Sequence, residues 1–123
     1  MSELLEKQMR FARRIAEFAV WVFEQGLALT EGESWRSPEQ AALDAAKGTG
    51  IAHSLHTERL AKDFNLWRLN DAGVWEWLDK GTEPEWELLG AHWESIGPDH
   101  CWGGRFRPRP DFDHFSITHE GIR

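Results

Sequence analysis

Apolar residues recur at helical spacing from the start of the chain. Leu4, Phe11, Ile15, Phe18, Ala19 and Val22 fall on one stripe, while Arg10, Arg13, Arg14, Glu17 and Glu24 face away from it. This predicts an amphipathic helix over residues 3–25, capped by Ser2 and stopped at Gly26. Leu27 to Ser34 reads as a short strand. Ser37-Pro38-Glu39-Gln40 then places a capping serine, a first-turn proline and a glutamine in the order that starts a helix, which runs to about Lys47 and ends at Gly48-Thr49-Gly50. From Leu60 to Leu69 the pattern becomes strand-like, and Asn70-Asp71-Ala72-Gly73 supplies a turn into Val74-Trp75-Glu76-Trp77. Thr82-Glu83-Pro84-Glu85 opens another helix, with Trp86, Leu89, Trp93 and Ile96 on its buried side and Gly97-Pro98 as its stop. The tail from Cys101 to Thr118 is punctuated by glycine and proline and finishes in a strand-like Phe115-Ser116-Ile117. Helices and strands alternate without a repeated βαβ rhythm, so the expected class is α+β, a small antiparallel sheet with flanking helices.

At 123 residues the chain fits one domain, expected to span 1–123, with room for a single core. Eight Trp and seven Phe with no Tyr imply a core of large rings, with a ring or two left to line a groove. The net charge of −7 lacks the basic surface that drives binding to phosphates, which argues against nucleic acid. One cysteine, Cys101, excludes an internal disulfide framework and a paired-cysteine zinc ribbon. No apolar run is long enough to span a membrane. Met1 to Lys7 carries acids where an export signal needs a basic start and an apolar stretch. A monomer made in the cytoplasm is the expectation.

Two segments carry potential chemistry: Ser54-Leu55-His56-Thr57-Glu58-Arg59-Leu60-Ala61-Lys62-Asp63, and later Asp111-Phe112-Asp113-His114-Phe115. A hydrolytic zinc site wants three His or carboxylate ligands and a fourth position for water, and these segments offer the right donors. Spacing alone does not force the pairing. His56 and Asp63 would share a face of a helix but not of one regular strand, so with Asp63 in a strand His56 must lie in the loop before it.

Ser54-x-His56 with Asp63 following, then Trp102-Gly103-Gly104-x-Phe106 and Asp111-x-x-His114-Phe115, resemble the zinc D-Ala-D-Ala carboxypeptidases and dipeptidases. That family also contains the L-alanyl-D-glutamate endopeptidases used as phage endolysins. Trp35-Arg36-Ser37-Pro38-x-Gln40 is similar to the family's arginine-bearing segment. The resemblance implies a hedgehog-like or D,D-peptidase-like α+β fold and one zinc ion held by His56, Asp63 and His114. It implies Asp111 as the proton-transferring carboxylate, placed in a loop by Pro108 and Pro110, and Arg36 as the cation facing the developing oxyanion. Ser54, Trp102, Gly103 and Gly104 are weaker candidates for contact with substrate, the glycines because a missing side chain lets a backbone approach. The chain departs from the family over Thr57-Glu58-Arg59-Leu60-Ala61-Lys62, where relatives often carry glycine, so the loop bearing His56 is expected to differ in shape.

Asp113 reads as a partner orienting His114 or as a solvated carboxylate. His53, His92, His100 and His119 match no motif and read as surface residues. Arg105, Arg107 and Arg109 read as a solvated strand edge, or as a cationic rim for the carboxylates of stem peptides. The resemblance implies an endolysin-type enzyme that hydrolyses the stem peptides of peptidoglycan, made in the host cytoplasm without an export signal and acting on the periplasmic wall. Within the family the alternative is a D,D-carboxypeptidase or dipeptidase; outside it, an inactive phage structural or binding module.

Overall fold

The computed structural model describes residues 2–48 and 54–123; Thr49, Gly50 and His53 lie outside them. The first helix, α1 (Glu3–Glu24), starts where the Ser2 hydroxyl accepts the Leu5 amide at 3.1 Å and ends at Gly26, whose φ of +79° suits a residue without a side chain. Phe11, Phe18 and Val22 are its buried stripe. Strand β1 (Leu27–Glu31) is shorter than the predicted Leu27–Ser34, because from Gly32 onward the chain leaves the ladder to close over Asp63. Helix α2 (Pro38–Ala46) begins as expected, the Ser37 hydroxyl accepting from the Gln40 amide at 3.0 Å.

Strand β2 (Ala61–Leu69) is the spine of the sheet. Along one edge it pairs with β1; along the other its first residues pair with β5 (His114–Ile117) and its last with β3 (Trp75–Trp77), all antiparallel. The Asn70 side chain accepts from the Ala72 and Val74 amides and shapes the β2–β3 turn, in which Gly73 takes φ +78°. Helix α3 (Pro84–Ile96) follows, with Pro84 in its first turn. Strand β4 (His100–Trp102) then pairs with β5, completing the order β1-β2-β5-β4. The sequence pattern does not anticipate β4.

Alternation decides what each face of β2 does. Phe64 and Leu66 point to one side, where Phe18, Trp86, Trp93, Phe115 and Ile117 form the core beneath α1 and α3. The rings pack at varied angles: Phe18 lies 4.9 Å from Phe115 and 5.3 Å from Trp93. Asp63, Asn65, Trp67 and Leu69 point to the other side. At the Asp63 end that second face is covered by the segment carrying Ser34, Ser54 and His56. At the Leu69 end it is open, and Leu69, Trp75 and Trp77 are exposed.

His100 is a correction to the sequence reading. It is buried, packed 4.5 Å from the Trp93 ring, with Nδ1 3.0 Å from Asp99. His92 is half-buried and stacks on Trp21 at 3.6 Å, and His119 is half-buried beside Lys7. No helix among the described residues is long and apolar enough to cross a membrane.

Candidate metal and catalytic site

Asp63 and His114 face one another directly across the β2–β5 pair, so the antiparallel register puts both side chains on one face. His56 reaches them from the tight turn before β2. There the Ser54 hydroxyl accepts from the His56 amide at 3.1 Å, and the Thr57 hydroxyl donates to the Ser54 carbonyl at 2.6 Å. Arg59 adopts φ +59° in the same turn. The loop expected for His56 is thus a compact turn, and Ser54 is one of its fasteners. His56 and His114 are buried, and the ligand atoms of His56, Asp63 and His114 all lie within 4.8 Å of one another.

The protonation of His56 follows from its neighbours. Its Nδ1 lies 2.7 Å from the Ser34 carbonyl, which can only accept, so Nδ1 carries the hydrogen. That turns Nε2 toward Asp63 Oδ1 at 3.3 Å. His114 presents Nδ1 to the same oxygen at 3.6 Å. Asp63 Oδ1 is buried yet has no well-formed hydrogen bond. Two ring nitrogens converging on a buried carboxylate oxygen are satisfied only by protons or by a cation. The donor set of two nitrogens and one oxygen, with a carbonyl orienting one ring from behind, fits a divalent zinc ion. Asp63, Asp111 and Asp113 also converge within 4.8 Å. That all-oxygen group shares Asp63 with the first and is more exposed, so the His–Asp–His set is the better match for zinc.

Electrostatics point the same way. Burial alone would lower the His56 pKa, but the Asp63 carboxylate facing its Nε2, with the Ser34 carbonyl and Glu33, raises it above its ordinary value. Burial works against a charged Asp63, but the two imidazoles more than offset this and hold its carboxyl below the usual range. Desolvation, a hydrogen bond to Asp111 and the charges of Asp63 and Asp111 push Asp113 up to about 8. Asp113 is thus a half-buried carboxyl close to Asp63 and Asp111 whose neutral form is favoured, rather than a solvated charge.

These directions predict an inverted pH response. The raised His56 pKa gives the metal-free protein stability below the ordinary histidine value that is lost as pH rises through the folded value. The lowered Asp63 pKa adds stability above the ordinary aspartate value, lost only as pH falls further. Asp113, raised to about 8, opposes folding increasingly as pH climbs from the ordinary aspartate range to that value. Metal-free protein should therefore melt at a higher temperature near pH ~5.5 than near pH ~8. Zinc requires deprotonated ligands, so saturating zinc should reverse the order. Thermal melts with chelator and with zinc at the two pH values test this, and a zinc increment as large in acid as in base would count against the ligand set.

A cavity of about 420 Å³ opens onto the three residues, and Arg36, Ser54, Phe106, Arg109, Asp111 and Arg123 share its lining. Asp111 lies in a loop, as Pro108 and Pro110 predict, with Oδ2 3.9 Å from His114 Nδ1. Arg36 is oriented by a two-pronged bond to Glu33, its Nη2 donating at 2.7 Å to Glu33 Oε2, while its backbone amide donates to the His56 carbonyl at 3.1 Å. Glu33 also accepts the Asp63 amide through its carbonyl at 2.7 Å. The sequence reading passes over Glu33; its place three residues before Arg36 is the signal that marks it.

Trp102, Gly103 and Gly104 make their contacts inside the protein. The Trp102 indole donates to the Phe112 carbonyl at 2.7 Å, and Arg105 lies over its ring. Gly103, in the 3-10 turn at Gly103–Arg105, accepts the Asp111 amide at 2.8 Å. A Cβ on Gly103 would sit 2.1 Å from the Asp111 carbonyl oxygen and 2.8 Å from His114 Cβ. The close approach this glycine permits is that of the Asp111–His114 loop. Gly103→Ala should displace that loop, destabilise the fold by about 1–3 kcal/mol and weaken zinc retention, as read by thermal melting and metal analysis.

Arg105, Arg107 and Arg109 do not form a strand edge. Arg105 forks onto Glu87 at 2.8 Å and approaches Glu94, and Arg107 donates to the carbonyls of Gly104 and Phe106. Of the three, Arg109 lines the cavity, where Arg123 joins it.

Comparison with known proteins follows the same lines. The chain shares its fold with an L-Ala D-Glu endopeptidase of Serratia marcescens, ChiX, at a TM-score of 0.61 and 18% identity, over 90% of this chain and 77% of that one. No curated protein gives a significant match in sequence. A sequence profile described as D-alanyl-D-alanine carboxypeptidase matches residues 47–117, a stretch that includes His56, Asp63, Asp111 and His114. With more than half of its length matched, the chain is a peptidase and belongs to the D-alanyl-D-alanine carboxypeptidase family.

Proposed function

We propose that this peptidase is a zinc-dependent peptidoglycan hydrolase of the endolysin type, cleaving the L-Ala–D-Glu bond of the stem peptide. The observation that carries the reading is the convergence of His56, Asp63 and His114 with Asp111 and Arg36 on one cavity. His56, Asp63 and His114 would hold the ion. Bound there, zinc supplies Lewis acidity toward the scissile carbonyl and lowers the pKa of a coordinated water to about 7.

The chain's own groups do the rest. Asp111 is exposed enough to meet substrate and close enough to His114 to take a proton from the attacking water and return it to the leaving amine. Asp113, whose neutral form is favoured by burial and by the neighbouring Asp111 and Asp63 carboxylates, lies beside Asp111 and would help to hold it in place. Arg36, held by Glu33, offers a fixed cation to the oxygen that gains charge. Arg109 and Arg123 give the cavity a cationic side suited to the free carboxylates of stem peptides.

The choice of bond rests on the fold relative, an L-Ala D-Glu endopeptidase. The profile description favours a second reading, removal of terminal D-Ala, because the same arginines suit a terminal carboxylate. Mass analysis of digested peptidoglycan separates them. New amino-terminal D-Glu with intact glycan strands supports the endopeptidase; free D-Ala without new D-Glu termini establishes the carboxypeptidase instead.

A further inference from the structure

The face of β2 that carries Asp63 continues past the catalytic centre, and its far end is apolar and uncovered. Trp67 and Leu69 share the parity of Asp63. Their partners on β3 are Trp77 and Trp75, and their partners on β1 at this end include Ala28. Trp75 is 47% exposed, Trp77 53% and Leu69 49%. A contiguous patch of exposed tryptophans of this kind marks a binding surface.

The patch is also ordered. The Trp67 indole donates to the Thr30 hydroxyl at 2.9 Å, which sets the ring's orientation. Trp77 lies nearly parallel to it, with an interplanar angle of 26° and centroids 6.2 Å apart. Beyond Asp63, the β2 positions of this face and their cross-strand partners carry no charge: Asn65 opposes Thr30, Trp67 opposes Trp77, and Leu69 opposes Trp75. Flat aromatic rings edged by amide and hydroxyl groups, without ionic partners, suit a neutral, hydroxyl-rich ligand better than an acidic peptide.

We infer that the Trp67–Trp75–Trp77 face is a sugar-stacking platform that holds the glycan strand of the wall while the attached stem peptide occupies the metal site. This rests on the proposed function, and it is distance that joins the two. At about 3.3 Å per residue, Trp67 stands roughly 13 Å from Asp63 along the strand and Leu69 roughly 20 Å. A stem peptide is tethered to its sugar through its first residue, so cleavage after that residue leaves the sugar within about 7–10 Å of the metal site. The next rings of the strand then reach the tryptophans. The faces of pyranose rings carry C–H groups, which pack on indole faces, while their hydroxyls meet Asn65 and Thr30.

The test compares Trp77→Ala and Trp77→Phe with the parent enzyme on whole sacculi and on a sugar-free stem peptide. A second arm titrates neutral, peptide-free oligosaccharides of N-acetylglucosamine into each protein and follows the indole resonances. Because Trp77 is exposed, the alanine variant should melt with the parent, and this is verified first. The platform predicts about a tenfold fall in kcat/KM on sacculi for Trp77→Ala, substantial recovery in Trp77→Phe and unchanged cleavage of the free peptide. It also predicts shifts of the Trp67 and Trp77 indole signals on adding oligosaccharide. Equal losses on both substrates, no loss on sacculi, or self-association that Trp77→Ala abolishes would overturn it. If the parent cleaves neither substrate, the proposed function fails, and the oligosaccharide titration alone decides the platform.

Discussion

Asp63→Asn should leave the protein folded and close to inactive, with its zinc lost on dialysis. The substitution keeps the shape of the side chain at the centre of the β2–β5 pair but removes the charge toward which both imidazole nitrogens point. Removing a group that only orients a ligand typically costs 10–100-fold in metal affinity, and removing a ligand costs more. His114→Ala should behave alike, although it also leaves a gap at a buried position. Elemental analysis after dialysis, with circular dichroism to verify the fold, reads the result. Full zinc content in either variant would remove that residue from the ligand set.

The second large effect separates two neighbouring carboxylates. Asp111→Asn should retain zinc and fold while lowering kcat by about 10²–10⁴-fold, the range expected when a positioned proton carrier is lost. Asp113→Asn should do far less. With its pKa raised to about 8, Asp113 favours its neutral form beside Asp111, and a neutral asparagine amide can stand in for it. Steady-state rates on a stem peptide, measured on zinc-loaded protein, decide the matter. The opposite ranking would transfer proton carriage to Asp113 and leave Asp111 as its support.

The sequence is most informative where one periodic pattern spans many residues. The stripe of α1, the serine caps of α1 and α2 and the hairpin turn at Asn70 each rest on local chemistry, and each is found where that chemistry puts it. The three residues of β4 are too few to alternate visibly between Gly97-Pro98 and Gly103-Gly104, and they are strand only because β5 lies beside them. The arginine series misleads for a related reason. Alternation suggests a strand, but the partners of Arg105 are Glu87 and Glu94 on α3, which no local pattern can point to. The same holds for His100, whose burial comes from Trp93. In the site, the ligand candidates stand out as residue types in a motif. The Ser34 carbonyl that sets the His56 tautomer and the fork of Glu33 on Arg36 belong to tertiary structure.

Pairing Asp63 with His114 across β2 and β5 joins positions far apart in the sequence. Closing so large a loop makes this contact late and slow compared with the growth of α1 or the β2–β3 hairpin. While the chain is being synthesised, His56 and Asp63 emerge well before their third partner, and until β5 docks there are two donors and no coordination sphere. On the proposed ligand set, capture of a zinc ion would therefore coincide with completion of the sheet. An activity that depends on that ion would appear only in the finished sheet, and zinc retention would itself mark a finished molecule.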